Sequence, residues 1–326
     1  MTVRQRLRST NPRLLAGGTV LLLLAAASVV GPWFTADPAE ILDPRNSSLL
    51  PPFSSCTHLR LHDGTTLVVR DATVEGAVVR ALHGGRAVTI PLDRVATLEH
   101  RFHLLGTDTL GRDILSRLLH GGRISLAVGA SALLLALGIG IAAGMAAGWL
   151  GGAVDAVLMR LVDALLAIPT VFLLLFLAAV FRPGLVPLVL ILGLSAWTGV
   201  ARLVRGQVLS LKEREFVLAA RGLGVGPVRM ALTHLLPNAI TPLAQDGALL
   251  LCDLILLEAS LSFLGLGVPP PHPSWGNMVA EGENVLLEAW WLALIPGAAV
   301  ALTVMAAAVL ADGLSETARG VVRDSP

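Results

Sequence analysis

The sequence predicts an all-α polytopic membrane protein with six transmembrane helices and a small β-rich insertion between the first and second spans. Three observations predict it. Hydrophobic residues make up 54% of the chain and charged residues only 14%, with a mean hydropathy of +0.74, where a soluble domain carries about 25% charge. Six apolar runs are long enough, or nearly long enough, to cross a bilayer, which takes roughly 20 residues. Arginines concentrate in alternate loops, as short cytoplasmic loops require.

The spans fall at residues 14–34, 126–149, 161–181, 184–200, 240–266 and 289–311. The third carries Asp163 at one end and Pro169 inside. The fifth carries Asp246, Asp253 and Glu258. Gly138, Gly140, Gly144 and Gly148 step along the second, and small residues in such a series let helix backbones approach closely. Arg4, Arg6, Arg8 and Arg13 precede the first span. Arg202, Arg205, Lys212, Arg214, Arg221 and Arg229 follow the fourth, and Arg319 and Arg323 follow the sixth. The loop after the fifth span holds Glu281, Glu283 and Glu288 without Lys or Arg. Both termini are therefore expected in the cytoplasm. The first run exceeds the 7–15 residues of a signal-peptide core, so a retained span is expected over a cleaved leader.

The chain divides by expectation into a cytoplasmic N-terminus (1–13), a first span (14–36), an extracytoplasmic β-rich insertion (37–103), an amphipathic interfacial helix (104–123), a membrane core (124–315) and a cytoplasmic tail (316–326). Within 37–103, clusters of β-branched residues at 57–62, 66–70, 74–80, 86–91 and 95–99 alternate with turn signals at Asp63-Gly64 and Gly84-Gly85. Five histidines lie there: His58, His62, His83, His100 and His103. His58 and His62 would share a strand face, but no ligand spacing completes a metal site; exposed strand histidines and no metal are expected. At 112–119, Ile114, Leu115, Leu118 and Leu119 oppose Arg112, Asp113, Ser116 and Arg117, hence the interfacial helix. Cys56 and Cys252 lie in different environments, so no disulfide is expected, and a net charge of +1 gives no sign of nucleic-acid binding.

Costly ionisable groups within the spans invite functional readings. Asp163 is expected to form an interfacial pair with Arg160. Asp246, Asp253 and Glu258 either line a translocation path or bond neighbouring helices.

Residues 213–243 read EREFVLAARGLGVGPVRMALTHLLPNAITPL. A charged, helix-prone stretch breaks at the glycines of 222–226, and Pro227 suits the first turn of a following helix. Such a structured insertion in a cytoplasmic loop implies a docking partner. The pattern resembles the EAA loop of ABC importer permeases, matching at Ala219, Ala220, Gly224, Leu236 and Pro237. Leu218 stands where that family has Glu, and His234 where it has a hydrophobe. GTDTLGRDILSRLLHGGRISL at 106–126, MRLVDALLAIP at 159–169, EASLSFLGLG at 258–267 and PSWG at 273–276 resemble the "C" subunit of the dipeptide/oligopeptide (and nickel) subfamily. The resemblance implies the six-helix fold of type I importers in the bacterial inner membrane. It implies a homologous permease subunit, two ATPase subunits and an external substrate-binding protein as partners. Glu215, Leu218, Ala219, Ala220, Arg221, Gly222, Gly224, Leu236, Pro237 and Asn238 would then couple the chain to the ATPase. Nickel, glutathione or another small solute is an alternative cargo, and an ion-coupled secondary transporter an alternative class. No Gly-rich phosphate loop precedes the only lysine, Lys212, so the chain is expected not to be an enzyme, and ATP and Mg would sit on partner subunits.

Overall fold

A computed structural model describes residues 11–41, 43–83, 86–240 and 242–323. Arg4, Arg6, Arg8 and the Gly84-Gly85 turn lie outside the described residues, as do the side chains of Arg319 and Arg323.

Helix α1 (Pro12–Val30) is capped by Asn11, whose side chain accepts from the Arg13 amide. Five strands follow: β1 (Ser54–Leu61), β2 (Thr66–Glu75), β3 (Val78–His83), β4 (Arg86–Pro91) and β5 (Val95–His103). They form one antiparallel sheet in the order β4-β3-β2-β1-β5. Leu59, Val69, Val79 and Ile90 make its core. A register shift between Arg60 and Leu61 breaks the alternation of β1. His58 is buried on β1, while His62 lies beyond its end in the turn and is exposed, so the two do not share an environment.

The predicted helix at 104–123 does not exist as a separate element. Residues 104–113 are turns and loop, and α2 runs unbroken over Ile114–Leu150. Asp113 starts it by accepting from the Ser116 amide at 2.8 Å. Gly151 (φ 68°) and Gly152 (φ 56°) reverse the chain into α3 (Gly152–Leu166). The expected continuous third span is broken. Pro169 cannot donate into the preceding turn, and α4 (Thr170–Val180) leaves α3 at 86°.

Helix α5 (Leu185–Lys212) extends well beyond its apolar run of 184–200 because Val204 and Val208 keep one face buried. Its partner is α2. A Cβ on Gly140, Gly144 or Gly148 would lie 2.5, 2.5 or 2.8 Å from α5 atoms, whereas one on Gly138 would meet nothing. Three of the four glycines thus face Val200, Val204 and Val208 at successive turns, and Gly138 is off the stripe. After α6 (Glu215–Gly222) and α7 (Pro227–Ile240), α8 (Leu243–Phe263) departs at 60°. Helices α9 (Trp275–Glu283) and α10 (Trp291–Arg323) complete the bundle. Gly17 and Gly313 bring α1 against α10, where the Arg13–Glu316 ion pair closes the contact. The central core joins α2, α4, α5 and α8 through Val128, Ala132, Leu174, Leu188, Leu192 and Leu254.

Among the described residues four helical segments are long and apolar enough to cross a membrane: Pro12–Phe34, Ile114–Leu150, Leu185–Lys212 and Trp291–Thr317. The number rises to six if each bent pair, α3–α4 and α7–α8, is one span. Large apolar side chains on their outer faces, among them Leu134, Phe172, Phe176 and Val186, are exposed. Exposed apolar bands of this size are what a bilayer would cover.

Candidate functional site

The segment 213–238 folds as two short helices at the end of α5. Helix α6 ends in a Schellman motif. The Val225 amide donates to the Ala220 carbonyl at 3.1 Å and the Gly224 amide to the Arg221 carbonyl at 2.9 Å, with Gly224 at φ 78°. Pro227 then opens α7, where its missing N–H costs nothing. Pro237 withholds a donor further along, and the helix relaxes into a π-type stretch over Ala231–Leu235. The Asn238 side chain donates to the His234 carbonyl at 2.6 Å, satisfying an acceptor there.

One face of this segment is bound into the protein. Val217, Ala220, Met230, Leu235 and Ala239 pack with Val200, Val204 and Val208. Ala220 therefore packs inward against its own bundle; of the two alanines, only Ala219 is exposed. The other face is apolar and open: Phe216, Leu218 (53% exposed), Leu223 (86%), Val228 and Leu232. Glu215, Gly222, Pro237 and Asn238 are exposed as well, and Leu236 is half-buried. The Arg221 guanidinium lies 5.0 Å from the centre of the Trp149 ring.

The carboxylates of the helices divide into two kinds. Asp163 pairs with Arg202 on α5 at 2.6 Å, not with its neighbour Arg160, because α3 and α5 lie side by side. Asp155 pairs with Arg205 on α5, two turns below Asp163 on α3, at 2.7 Å. Asp246 and Asp253 instead line a cavity of about 240 Å³ with Leu137, Ala196, Gly199 and Leu203, and neither has an ion pair among the described residues. Glu258 is 0% exposed and accepts from the Ser262 hydroxyl at 2.8 Å.

Sequence reasoning missed a buried ionic cluster at the other end of the bundle. Thr107 and Asp108 are buried in the loop before α2. Asp108 accepts from the Leu110 and Arg112 amides, from Arg112 Nε at 2.6 Å and from Arg117 Nη1 at 2.5 Å. Arg117 also donates to Glu281 of α9 at 2.8 Å. Of the residues read as the polar face of a helix, Arg112 and Arg117 are thus a latch between this loop and α9, while Asp113 caps α2 and Ser116 donates to the Ala36 carbonyl. The four-residue spacing of Asp108 to Arg112 was the available signal.

A second missed group links the sheet to α2. Cys56 Sγ lies 3.3 Å from His103 Nε2, and His103 Nδ1 lies 2.9 Å from Asp113 Oδ1. His103 is buried, contrary to the expected exposure of the strand histidines. Burial works against the charged imidazole, yet the hydrogen bonds and charges of Asp113 and Cys56 prevail and lift His103 to about 9. Burial likewise disfavours a Cys56 thiolate, but His103 and His58 bring the thiol down to about 7. Among the described residues no group of three or more His, Cys, Asp or Glu could hold a metal ion.

A multi-helix, predominantly apolar bundle of this kind defines a multi-pass membrane protein. The chain belongs to the family of binding-protein-dependent transport system inner membrane components, whose profile matches residues 140–318. It is similar to a protein named as a peptide permease in Brucella suis biovar 1 (strain 1330), with 43% identity over 66% of this chain and 72% of that one. It is also similar to the di/tripeptide transport system permease protein DppC of Pseudomonas aeruginosa (strain UCBPP-PA14), with 39% identity over 65% and 70%. An inward-facing structure of the MetNI methionine ABC transporter overlays with a TM-score of 0.47 at 18% identity, covering 61% of this chain and 96% of that one.

Proposed function

We propose that this chain is a transmembrane subunit of an ATP-driven type I importer of di- and oligopeptides. It crosses the bacterial inner membrane six times, with α3–α4 and α7–α8 each making one bent span, and keeps both termini in the cytoplasm. The sheet and the loop carrying α9 lie outside, and 213–238 lies inside. A homologous permease subunit completes the pore, two ATPase subunits supply ATP and Mg chemistry, and an external binding protein delivers the solute. The names of the relatives support a peptide cargo.

One observation carries the mechanism. Segment 213–238 is fixed on one side to Val204 and Val208 of α5 and leaves Leu218, Leu223, Val228 and Leu232 open on the other. A partner gripping the open face moves α5 and α8 with it, since the buried face transmits force without slack. Asp246 and Asp253 face the cavity between α2, α5 and α8 and would line the path that this motion opens.

The test is reconstitution of the chain with its co-purifying subunits into proteoliposomes, followed by uptake of a radiolabelled dipeptide. ATP-dependent uptake that requires the binding protein is expected. Binding-protein-independent uptake driven by a proton or sodium gradient would overturn the reading.

A further inference from the structure

Where α2 ends, two cations converge on one indole. Lys212 Nζ lies 5.5 Å and the Arg221 guanidinium carbon 5.0 Å from the centre of the Trp149 ring. The three side chains come from separate helices, α2, α5 and α6. They share the wall of a cavity of about 470 Å³ with Val225, Pro227 and Met230. Among the described residues, neither cation has a carboxylate within ion-pair distance. Asp155, near enough for Lys212 to feel its charge, has both oxygens held by Arg205. Elsewhere on α5 the cations are matched one to one: Arg202 with Asp163, and Arg205 with Asp155. The two on Trp149 are left over, and they repel each other. An indole face attracts each of them, but it leaves their N–H donors unfilled.

We infer that Trp149, Lys212 and Arg221 bind the phosphate of an anionic phospholipid headgroup. A phosphodiester carries one negative charge and non-bridging oxygens that accept from an ammonium and a guanidinium together. Val225 and Pro227 offer an apolar wall to the glycerol and first methylenes. Trp149 closes a 37-residue apolar helix, and its neighbour Leu150 is exposed, as befits residues at the membrane surface, where tryptophan is enriched. Basic pockets between helices on the cytoplasmic side suit acidic headgroups. The lipid source rests on the orientation proposed above; the anion site does not.

The experiment is native mass spectrometry of the full-length chain, purified in detergent with whatever subunits accompany it, after exposure to phosphatidylglycerol or phosphatidylcholine. Wild type should retain phosphatidylglycerol about tenfold or more better than K212Q/R221Q, and phosphatidylcholine weakly in both. K212R/R221K, which keeps the charges, should retain phosphatidylglycerol and so excludes a folding defect. Equal retention by wild type and K212Q/R221Q would overturn the site. Displacement of the lipid by inorganic phosphate to the level of K212Q/R221Q would overturn the headgroup in favour of free phosphate. Unchanged retention with loss of ATPase subunits from K212Q/R221Q would assign the cations to a protein contact instead, and also overturn it. Retention is read without regard to membrane side, so its failure is distinguishable from failure of the proposed orientation, which sided labelling tests.

Discussion

Gly224 is the hinge on which the geometry of segment 213–238 depends. Its φ of 78° lets the Schellman bonds form, and these direct α7 back against α5. A Cβ at this position would meet nothing within 4 Å, so substitution acts through the backbone alone. A residue with a Cβ costs roughly 1–2 kcal/mol in this region, Asn less and a β-branched residue more. That strain shifts the local equilibrium by about tenfold per 1.4 kcal/mol. The order Gly, Asn, Ala, Val should therefore appear as a falling ratio of dipeptide transported to ATP hydrolysed in proteoliposomes. Membrane insertion should stay normal throughout, because the bundle above is untouched. Gly224→Val should be largely uncoupled. A Gly224→Val variant that expresses well and transports with the wild-type ratio would refute the reasoning.

Other consequences follow from the same geometry. Gly144→Val should disrupt the contact of α2 with α5, since its Cβ would lie 2.5 Å from the Ala201 carbonyl oxygen; a loss of roughly 1–3 kcal/mol is expected in thermal unfolding, while Gly138→Val, which meets open space, should be near neutral. His103 gains its partners as the imidazolium. Its contribution is complete below its ordinary value of 6.5 and is lost as pH climbs through about 9. Cys56 contributes as the thiolate, fully above its ordinary 9.0 and not at all once pH has fallen through about 7. Between about pH 7 and 9 the two changes oppose each other in wild type, so in a Cys56→Ser background the melting temperature should fall as pH rises from about 6.5 in a way that His103→Gln abolishes; parallel curves would remove His103 from the linkage. Single cysteines at Arg86 and Arg214, both exposed, should label from opposite sides of intact cells in a cysteine-free background, and labelling of both from outside would exclude six spans.

Apolar runs made the helical membrane class readable, because bilayer length acts directly on composition. The limits of the helices were less readable. Hydropathy stops at Val200, while α5 continues to Lys212 on a half-apolar face. Pro169 lies within a run whose hydropathy does not fall, although the helix breaks there. Pairings between distant residues were not readable at all. Asp163 has Arg160 close in sequence, but tertiary packing delivers Arg202. Arg117 looked like a surface charge because its partners, Asp108 and Glu281, come from a loop and from α9. In segment 213–238, residue type placed the glycine break and Pro227 as the structure has them but could not say which alanine faces inward; Ala220 does.

The most direct measurement of the central claim is recovery of the ATPase subunits with Leu218 variants. Leu218 replaces the family's glutamate and is 53% exposed on the open apolar face. If the ATPase covers it, Leu218→Asp places an unpaired charge in a buried contact, which costs about 2 kcal/mol or more, and recovery should fall by an order of magnitude or more. Leu218→Met conserves volume and polarity and should be recovered like wild type. Equal recovery of the ATPase with Leu218→Asp and Leu218→Met would contradict docking through this face.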